Sequence, residues 1–378
     1  GMSILTACSS DDNNDNDGNG GNGNGNEIEN GTILKGTITS DVTLAAGNTY
    51  KLSGEYIVEE GGTLHIEEGV KIIAVYDDIA DYILVKQGGK INAVGTPDKP
   101  IVMTSEKEEP GAWGGIHICG RAHTNAEGGK GSSEIGGAVY GGNDDADNSG
   151  TLQYIRLEYT GFAFDEEHEA NGISFYGVGN GTIVDHCQAY KGSDDGFEFF
   201  GGSVNVSNLV AVSCSDDSFD WTEGWNGKGT NLVAYQEAES TLGYDCDCLM
   251  ECDNNGSNNA ATPVAHPVLK NLILVGNGGS KQGIRLRAGT EVEIDNAKVC
   301  GKGQPLTVET ALTENALKNG TSKLTNITLT SELSCKEGIY THADFIAVTS
   351  NKVDANLSYS SFEDIKKECS WMNGNWVK

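Results

Sequence analysis

Three acidic residues, Glu198, Asp220 and Glu251, recur at the same position of a short repeated segment. Each segment has apolar residues at its second and fourth positions and a polar or charged residue at its third. Because side chains alternate between the two faces of a strand, the third residue points away from the core that the second and fourth enter. The third residues of five successive segments are Ser174, Glu198, Asp220, Glu251 and Arg285. If the segments stack in register, these side chains form an outward row of carboxylates that ends in an arginine.

A second group of carboxylates comes just before the same segments. Ser-Asp-Asp precedes two of them, and Asp247 holds a corresponding place before the next. Carboxylates on strands about 4.8 Å apart cannot all stay ionised and unpaired, so they bind a cation, pair with a basic side chain or hold a proton. We predict a Ca²⁺ site, because Ca²⁺ takes roughly six to eight oxygen ligands. The predicted ligands are Asp194, Asp195, Asp216, Asp217 and Asp247. The alternative is that these side chains only bond backbone N–H groups within turns.

Catalysis is a second interpretation of the same row. Two carboxyl groups one strand apart would be separated by about 5 Å, which is near the spacing of retaining glycosidases, and two strands apart would reach about 9.6 Å, at the edge of the inverting range. An arginine is a poor base, since its guanidinium is hard to deprotonate. If the protein is an enzyme, its predicted catalytic residues are Glu198, Asp220, Glu251 and Arg285.

Aromatic side chains supply a third possible chemistry, the stacking of rings on sugar faces. Tyr176 and Phe200 occupy the fifth, outward position of their segments, and Trp225 lies in a Gly-Trp-Asn-Gly stretch that predicts a loop. Trp221 falls at an inward position and is predicted to lie in the core. The predicted ligand-binding residues are therefore Tyr176, Phe200, Trp225 and the basic Arg287.

The elements that would position these residues are strands of a solenoid. Alternation with a period of two predicts strands, and recurrence of one strand along the chain predicts stacked coils. The segments that start at Gly172 and Gly196 are 24 residues apart, which fits one coil of a three-sided helix of strands, and longer later intervals indicate inserted loops. We predict an all-β solenoid over residues 27–335 with a small C-terminal cap over residues 336–378.

Composition narrows the classes of partner. The chain has 378 residues, 52 of them glycine, and a formal net charge of −30. Such an acidic surface repels phosphate backbones, so we expect no binding to nucleic acid. No stretch after the N-terminus approaches the roughly 18 to 20 apolar residues of a membrane span. We expect a monomer.

The N-terminus carries a separate signal. Leu-Thr-Ala-Cys, which ends at Cys8, resembles a bacterial lipobox, and the acidic pair that follows it resembles the surface-export signals of Bacteroidetes lipoproteins. Residues 1–26 are interpreted as the remnant of a lipoprotein anchor and a disordered tether rich in Asp, Asn and Gly. The resemblance implies lipidation at Cys8, a place on the outer surface of the outer membrane, and membrane contact only through that lipid.

Longer motifs resemble a family of β-helix lipoproteins from Bacteroidetes and marine bacteria. They occupy residues 112–122, 140–150, 193–202 and 219–221. The resemblance implies a right-handed single-stranded parallel β-helix. The repeated Ser-Asp-Asp followed by Arg285-Leu286-Arg287 distantly resembles polygalacturonases and pectate lyases, although the Gly-His-Gly element of polygalacturonases is missing.

Three functions follow as expectations. The first is a cell-surface protein that binds extracellular polysaccharide, aided by Ca²⁺ on its acidic outer face. The second, implied by the distant resemblance, is a polysaccharide lyase or glycoside hydrolase that acts on uronate-containing glycans. The third is a structural adhesin or scaffold, in which the carboxylate row contributes only to stability.

Overall fold

A computed structural model describes residues 26–378, and most of this chain forms short parallel strands. A single 25-stranded sheet winds into three faces, and two small antiparallel hairpins project from it. The first strands are β1 (Asn26–Ile28), β2 (Ile33–Ile38), β3 (Asp41–Leu44), β4 (Thr49–Val58), β5 (Thr63–Ile66), β6 (Lys71–Ala74), β7 (Tyr82–Val85), β8 (Lys90–Val94), β9 (Ile101–Ser105), β10 (Ile116–Cys119), β11 (Gly131–Ser132), β12 (Val139–Tyr140), β13 (Gly150–Glu158), β14 (Ala163–Asp165) and β15 (His168–Glu169).

The later strands carry the repeated segments and the end of the solenoid. They are β16 (Ile173–Tyr176), β17 (Ile183–Tyr190), β18 (Phe197–Phe200), β19 (Asn205–Val212), β20 (Phe219–Thr222), β21 (Lys228–Tyr235), β22 (Met250–Asp253), β23 (Val268–Val275), β24 (Gln282–Arg287), β25 (Glu293–Cys300), β26 (Gln304–Val308), β27 (Lys323–Leu329), β28 (Ser334–Cys335) and β29 (Lys352–Val353). The helices are α1 (Glu239–Leu242), α2 (Ala311–Lys318), α3 (His342–Ala347) and α4 (Phe362–Glu368), with 3₁₀ turns at Glu127–Gly129 and Ser370–Met372.

The predicted parallel β-helix is confirmed, and it is right-handed. One face, here called the front sheet, stacks β7, β10, β16, β18, β20, β22, β24, β26 and β28 in parallel. Five of these nine strands, β16, β18, β20, β22 and β24, are the repeated segments of the sequence, in the expected order. Because consecutive coils pair residue by residue, a side chain type that recurs in the sequence becomes a column in space.

The other two faces are formed by long strands that bend in the middle. In each of these strands one residue adopts a left-handed backbone conformation, so the first half lies on the second face and the second half on the third. Most of these bend residues are asparagines, which tolerate that conformation better than other non-glycine residues. Their side-chain amides bond to each other from coil to coil, and we call Asn208, Asn231, Asn271 and Asn296 the asparagine row.

The core lies inside the solenoid and is filled by the inward columns. All the residues predicted to point inward in the five repeated segments are buried, including Trp221. Aromatic rings stack from coil to coil, with Phe175 on Phe199 at 5.0 Å and Phe197 on Phe219 at 5.6 Å between ring centroids. This continuous stack fixes the register of the front sheet, since a slip of one residue would expose every ring.

The C-terminal part of the chain covers two surfaces. Near the end of the solenoid, Leu317 of α2 and Phe345 of α3 join the main core. From α4 onward the chain runs back along the outer side of the third face, so that Trp376 packs near Tyr154. The outer side of that face is apolar, because residues such as Val210 point outward, and the returning segment covers it.

Two predictions fall on the N-terminus. The lipidation of Cys8, and all of the proposed tether except Asn26, lie outside the residues that the structure describes.

Candidate functional site

The carboxylate row predicted from the repeat is present on the front sheet. Parallel pairing places Ser174 beside Glu198, Glu198 beside Asp220, Asp220 beside Glu251, and Glu251 beside Arg285. Each residue of this row lies on a different coil, with its side chain on the side of the strand opposite the core. The row is the consequence of one sequence position that repeats in register.

The turn aspartates converge on the same surface. The structure brings together the predicted metal ligands Asp194, Asp195, Asp216, Asp217 and Asp247. With the row residues Glu198, Asp220 and Glu251, they form what we call the acidic face. Asp195 and Asp217 are nearly inaccessible, whereas Asp216 and Asp247 are partly exposed and form its mouth.

Part of the acidic face has a structural role. Asp195 Oδ1 accepts a hydrogen bond from the backbone N–H of Asp217 at 3.0 Å, and Asp217 Oδ1 accepts one from the N–H of Cys248 at 3.0 Å. Asn171 Oδ1 begins the series by accepting from the N–H of Asp195. Each side chain thus holds the turn of the following coil. The turn interpretation of these aspartates is supported, and it uses only one oxygen of each carboxylate.

Three sets within the acidic face consist of carboxylates alone and are close enough to share one cation. They are Asp194 with Asp195 and Asp216, Asp195 with Asp217 and Asp220, and Asp216 with Asp217 and Asp247. In each set, one oxygen from every residue lies within 4.8 Å of the others. Oxygens on opposite sides of a Ca²⁺ ion are about 5 Å apart, since each bond is about 2.3–2.6 Å long. The all-oxygen donors therefore fit a hard cation.

Burial and mutual repulsion favour the protonated forms of these carboxyl groups when no cation is bound. Burial, followed by the charge of Glu198, raises the pKa of Asp194 to about 11. Burial, followed by the charge of Glu134, raises the pKa of Glu198 to about 8. The pKa values of Asp195, Asp217 and Asp220 are likewise raised well above the usual range, mainly by burial. A cation would remove the cause of the repulsion.

The basic end of the row neutralises only its own neighbours. Arg287 contacts Glu251 at 2.6 Å and Asp253 at 2.7 Å, and it thereby closes the far end of the acidic face. Arg285 pairs with Glu309 at 3.2 Å. The carboxylates of the three candidate cation sets lie nearer the middle of the row. Because Arg285 and Arg287 are occupied by ion pairs, neither is a free base.

Two glutamates outside the repeated segments complete the site. Glu134 comes from the loop of the β11–β12 hairpin, and burial raises its pKa to about 7. Glu169 belongs to the β14–β15 hairpin and hydrogen-bonds to Asp194. Both lie in insertions that carry no periodic signal, so nothing in the repeat could have placed them beside the acidic face.

The predicted exposure of three aromatic residues is wrong. Tyr176 and Phe200 do point outward, but their rings stack at 4.4 Å and are buried beneath an inserted loop that brings Tyr140 against Tyr176. Trp225 turns into the core, where it stacks on Phe199 at 4.0 Å. These side chains therefore stabilise the fold and offer no open surface to a sugar ring.

Within residues 26–378, no helix is long and apolar enough to cross a bilayer.

Comparison with known proteins identifies the family. Neither a curated protein nor a solved structure gives a significant match. The family model described as a pectate-lyase-like beta helix domain matches residues 36–378, which is most of the chain and nearly all of the described part. This chain belongs to the pectate-lyase-like beta-helix domain family.

Proposed function

We propose that this protein binds extracellular polysaccharide at its front sheet, with Ca²⁺ held on the acidic face. The observation that carries the proposal is the set of overlapping all-oxygen carboxylate clusters, in which Asp195 and Asp217 each serve two candidate cation positions. Membership of a pectate-lyase-like family fits a role with polysaccharides. A cation there would supply positive charge that attracts the carboxylates of a glycan, which the bare acidic face would repel, and it would also accept glycan hydroxyl oxygens as ligands.

The cation part of the proposal is tested with Asp217→Asn. An asparagine Oδ1 keeps the hydrogen bond from the Cys248 N–H but removes the charge, so the fold is retained. Wild-type protein should melt at a higher temperature in Ca²⁺ than in chelator, and the variant should show much less of this difference. The exposed Glu332→Gln serves as the control. Equal melting temperatures of the wild type with and without Ca²⁺ would overturn the calcium proposal.

The glycan part is tested by retention on a panel of acidic and neutral polysaccharides, with Ca²⁺ or with chelator. We expect Ca²⁺-dependent retention that Asp217→Asn weakens. Retention on none of the glycans would reject the binding function and favour a structural adhesin or scaffold.

A polysaccharide lyase or hydrolase is the second candidate, and one observation favours it. Glu198 lies beside Asp220 on the next coil, and burial raises its pKa to about 8, which favours the protonated form that a general acid needs. Asn171 donates a hydrogen bond to Glu198 at 2.9 Å and fixes its position. Release of reducing ends or unsaturated uronates, abolished by Glu198→Gln and by Asp220→Asn, would establish an enzyme. No release by the wild type would remove this candidate.

Anchoring at the outer membrane is part of the proposal and rests on the sequence around Cys8. Expression of the chain behind a complete lipoprotein signal sequence that ends at Cys8, in a bacterium with lipoprotein export, should yield a protein that incorporates labelled fatty acid; no incorporation would reject lipidation. Cys8→Ala should lose the label. Incorporation that persists in this variant would contradict lipidation at Cys8.

A further inference from the structure

A cavity of about 340 Å³ lies between the returning C-terminal segment and the outer side of the solenoid. One wall is the asparagine row, represented by Asn231, Asn271 and Asn296, and the opposite wall includes Trp371. The cavity is on the side of the bent strands, whereas the acidic face is on the front sheet. Its volume is within the range of small-ligand sites, which is about 300–1,000 Å³.

The amide wall offers unused hydrogen-bonding capacity. Asn271 donates to Asn231 at 3.1 Å, and Asn296 donates to Asn271 at 2.8 Å. An amide group has two N–H donors and an oxygen with two lone pairs, so these bonds use half of what each central amide can offer. The remaining donors and acceptors recur at the coil spacing of about 4.8 Å, which suits a ligand rich in hydroxyl groups.

Trp371 lies at the edge of the packed C-terminal segment. That segment is held by Ile365, Met372 and Trp376, which are fully buried against the third face. Trp371 is only partly buried and lies at the edge of the same cluster, with its ring centroid 6.3 Å from that of Trp376. A tryptophan beside a row of amides combines an apolar ring surface with nearby polar groups, which is the usual composition of a small-ligand site.

The charge of the cavity indicates what kind of ligand fits. Its charged lining residues are Lys298 and Glu368, which form an ion pair with each other at the rim. The amides and Trp371 are uncharged, so the cavity has no net charge to attract a carboxylate or an ammonium group. This distinguishes it from the acidic face, which needs a cation before it can accept an anionic ligand.

We propose that this cavity is a second, cation-independent binding site for a neutral saccharide, with Trp371 as the stacking platform and Asn271 and Asn296 as hydrogen-bonding partners. A pyranose ring would lie against the indole, and its hydroxyl groups would bond to the amides. Two glycan sites on different faces of one rigid solenoid would let a single molecule bind two chains, or one branched chain, with a gain in avidity.

The experiment measures retention of the full chain on immobilised soluble glucans, mannans, xylans and galactans, always with chelator present. The first variant is Trp371→Ala. The second is Asn296→Gly, which removes the amide while glycine tolerates the positive φ of 64°. The control is Phe164→Ala, because Phe164 is 56% exposed and does not line this cavity.

We expect wild-type protein to bind at least one neutral glycan in chelator. Trp371→Ala should weaken that binding by about tenfold, Asn296→Gly should also weaken it, and Phe164→Ala should have no effect. Failure of the wild type to bind any neutral glycan in chelator would overturn the inference, as would unchanged binding by Trp371→Ala. Asp217→Asn should leave this binding unchanged, so the failure of this site and of the calcium-dependent site can be told apart.

Discussion

Asp195 accepts a hydrogen bond from the backbone N–H of Asp217, the equivalent residue one coil further along, at 3.0 Å. The same side chain belongs to two of the clusters that could hold a cation. The same carboxylate therefore holds the turn, hydrogen-bonds to the side chain of Glu198 and lies within the candidate cation clusters. These roles conflict because burial and neighbouring carboxylates disfavour the ionised form of Asp195 unless a cation is bound.

This relationship predicts opposite effects for two substitutions at Asp195. Asp195→Ala leaves the Asp217 N–H buried without a partner and should lower the free energy of unfolding by about 1–3 kcal/mol. Asp195→Asn keeps an acceptor and removes the buried charge, so in chelator it should be at least as stable as the wild type. Urea unfolding of the three proteins in chelator measures this. Equal destabilisation by both substitutions would contradict the separation of the two roles.

Asp81, a buried residue that is not part of the acidic face, should make the stability of the protein depend on pH. It is 2% exposed, it accepts a hydrogen bond from the Gly54 N–H at 2.7 Å, and burial raises its pKa to about 7. In the unfolded chain, Asp81 loses its proton near the ordinary pKa of 3.8, whereas in the folded protein it keeps the proton until about pH 7. Its contribution to the free energy of unfolding is therefore fully present below pH 3.8 and is lost as the pH rises toward 7.

We therefore expect Asp81→Asn to make the decline in unfolding free energy between about pH 4 and pH 7 less steep, by the share that Asp81 contributes, and to stabilise the protein at pH 7.5 by about 2 kcal/mol. Denaturant titrations across this pH range provide the measurement. Asp78→Asn, at an exposed neighbouring position, should leave the decline as it is. A wild-type-like decline in Asp81→Asn would show that another group causes it.

Substitutions at Asn271 separate the two ways in which the asparagine row should contribute to stability, namely backbone conformation and side-chain hydrogen bonds. Its φ of 62° is costly for residues other than glycine and asparagine, and its side chain joins the amides of two neighbouring coils. Asn271→Ala loses the hydrogen bonds and adds backbone strain, whereas Asn271→Gly loses only the bonds. Thermal unfolding should place alanine below glycine by about 1–2 kcal/mol. The reverse order would mean that strain at the bend is unimportant.

Substitution of Trp225 should lower stability without directly weakening glycan binding. Its ring stacks on Phe199 in the core, and its Nε1–H donates to the Val204 carbonyl at 3.0 Å. Trp225→Phe removes that donor and some core volume, so it should lower the unfolding free energy by about 1–3 kcal/mol. Glycan retention per folded molecule should match the wild type at 25 °C. A selective loss of retention with unchanged stability would restore Trp225 as a ligand-binding residue.

The sequence alone determined the parallel solenoid and the carboxylate row. A repeated pattern fixes both the strand and the face of each side chain, and stacking in register converts sequence position into spatial neighbours. Glu198, Asp220 and Glu251 were therefore placed correctly relative to one another, and so were the buried partners on either side of each. The turn aspartates were also predicted to lie together, because each stands at the same number of residues before the strand that follows it.

Only the tertiary structure decided what covers the outside of the solenoid. The alternation of side chains along a strand correctly predicted that Tyr176 and Phe200 lie on the outer side, but an inserted loop buries them. Glu134 and the C-terminal Trp371 reach their positions through insertions and a returning segment with no repeat. Periodicity describes contacts between neighbouring coils, whereas these contacts join residues far apart in sequence and depend on which outer apolar surface each segment can cover.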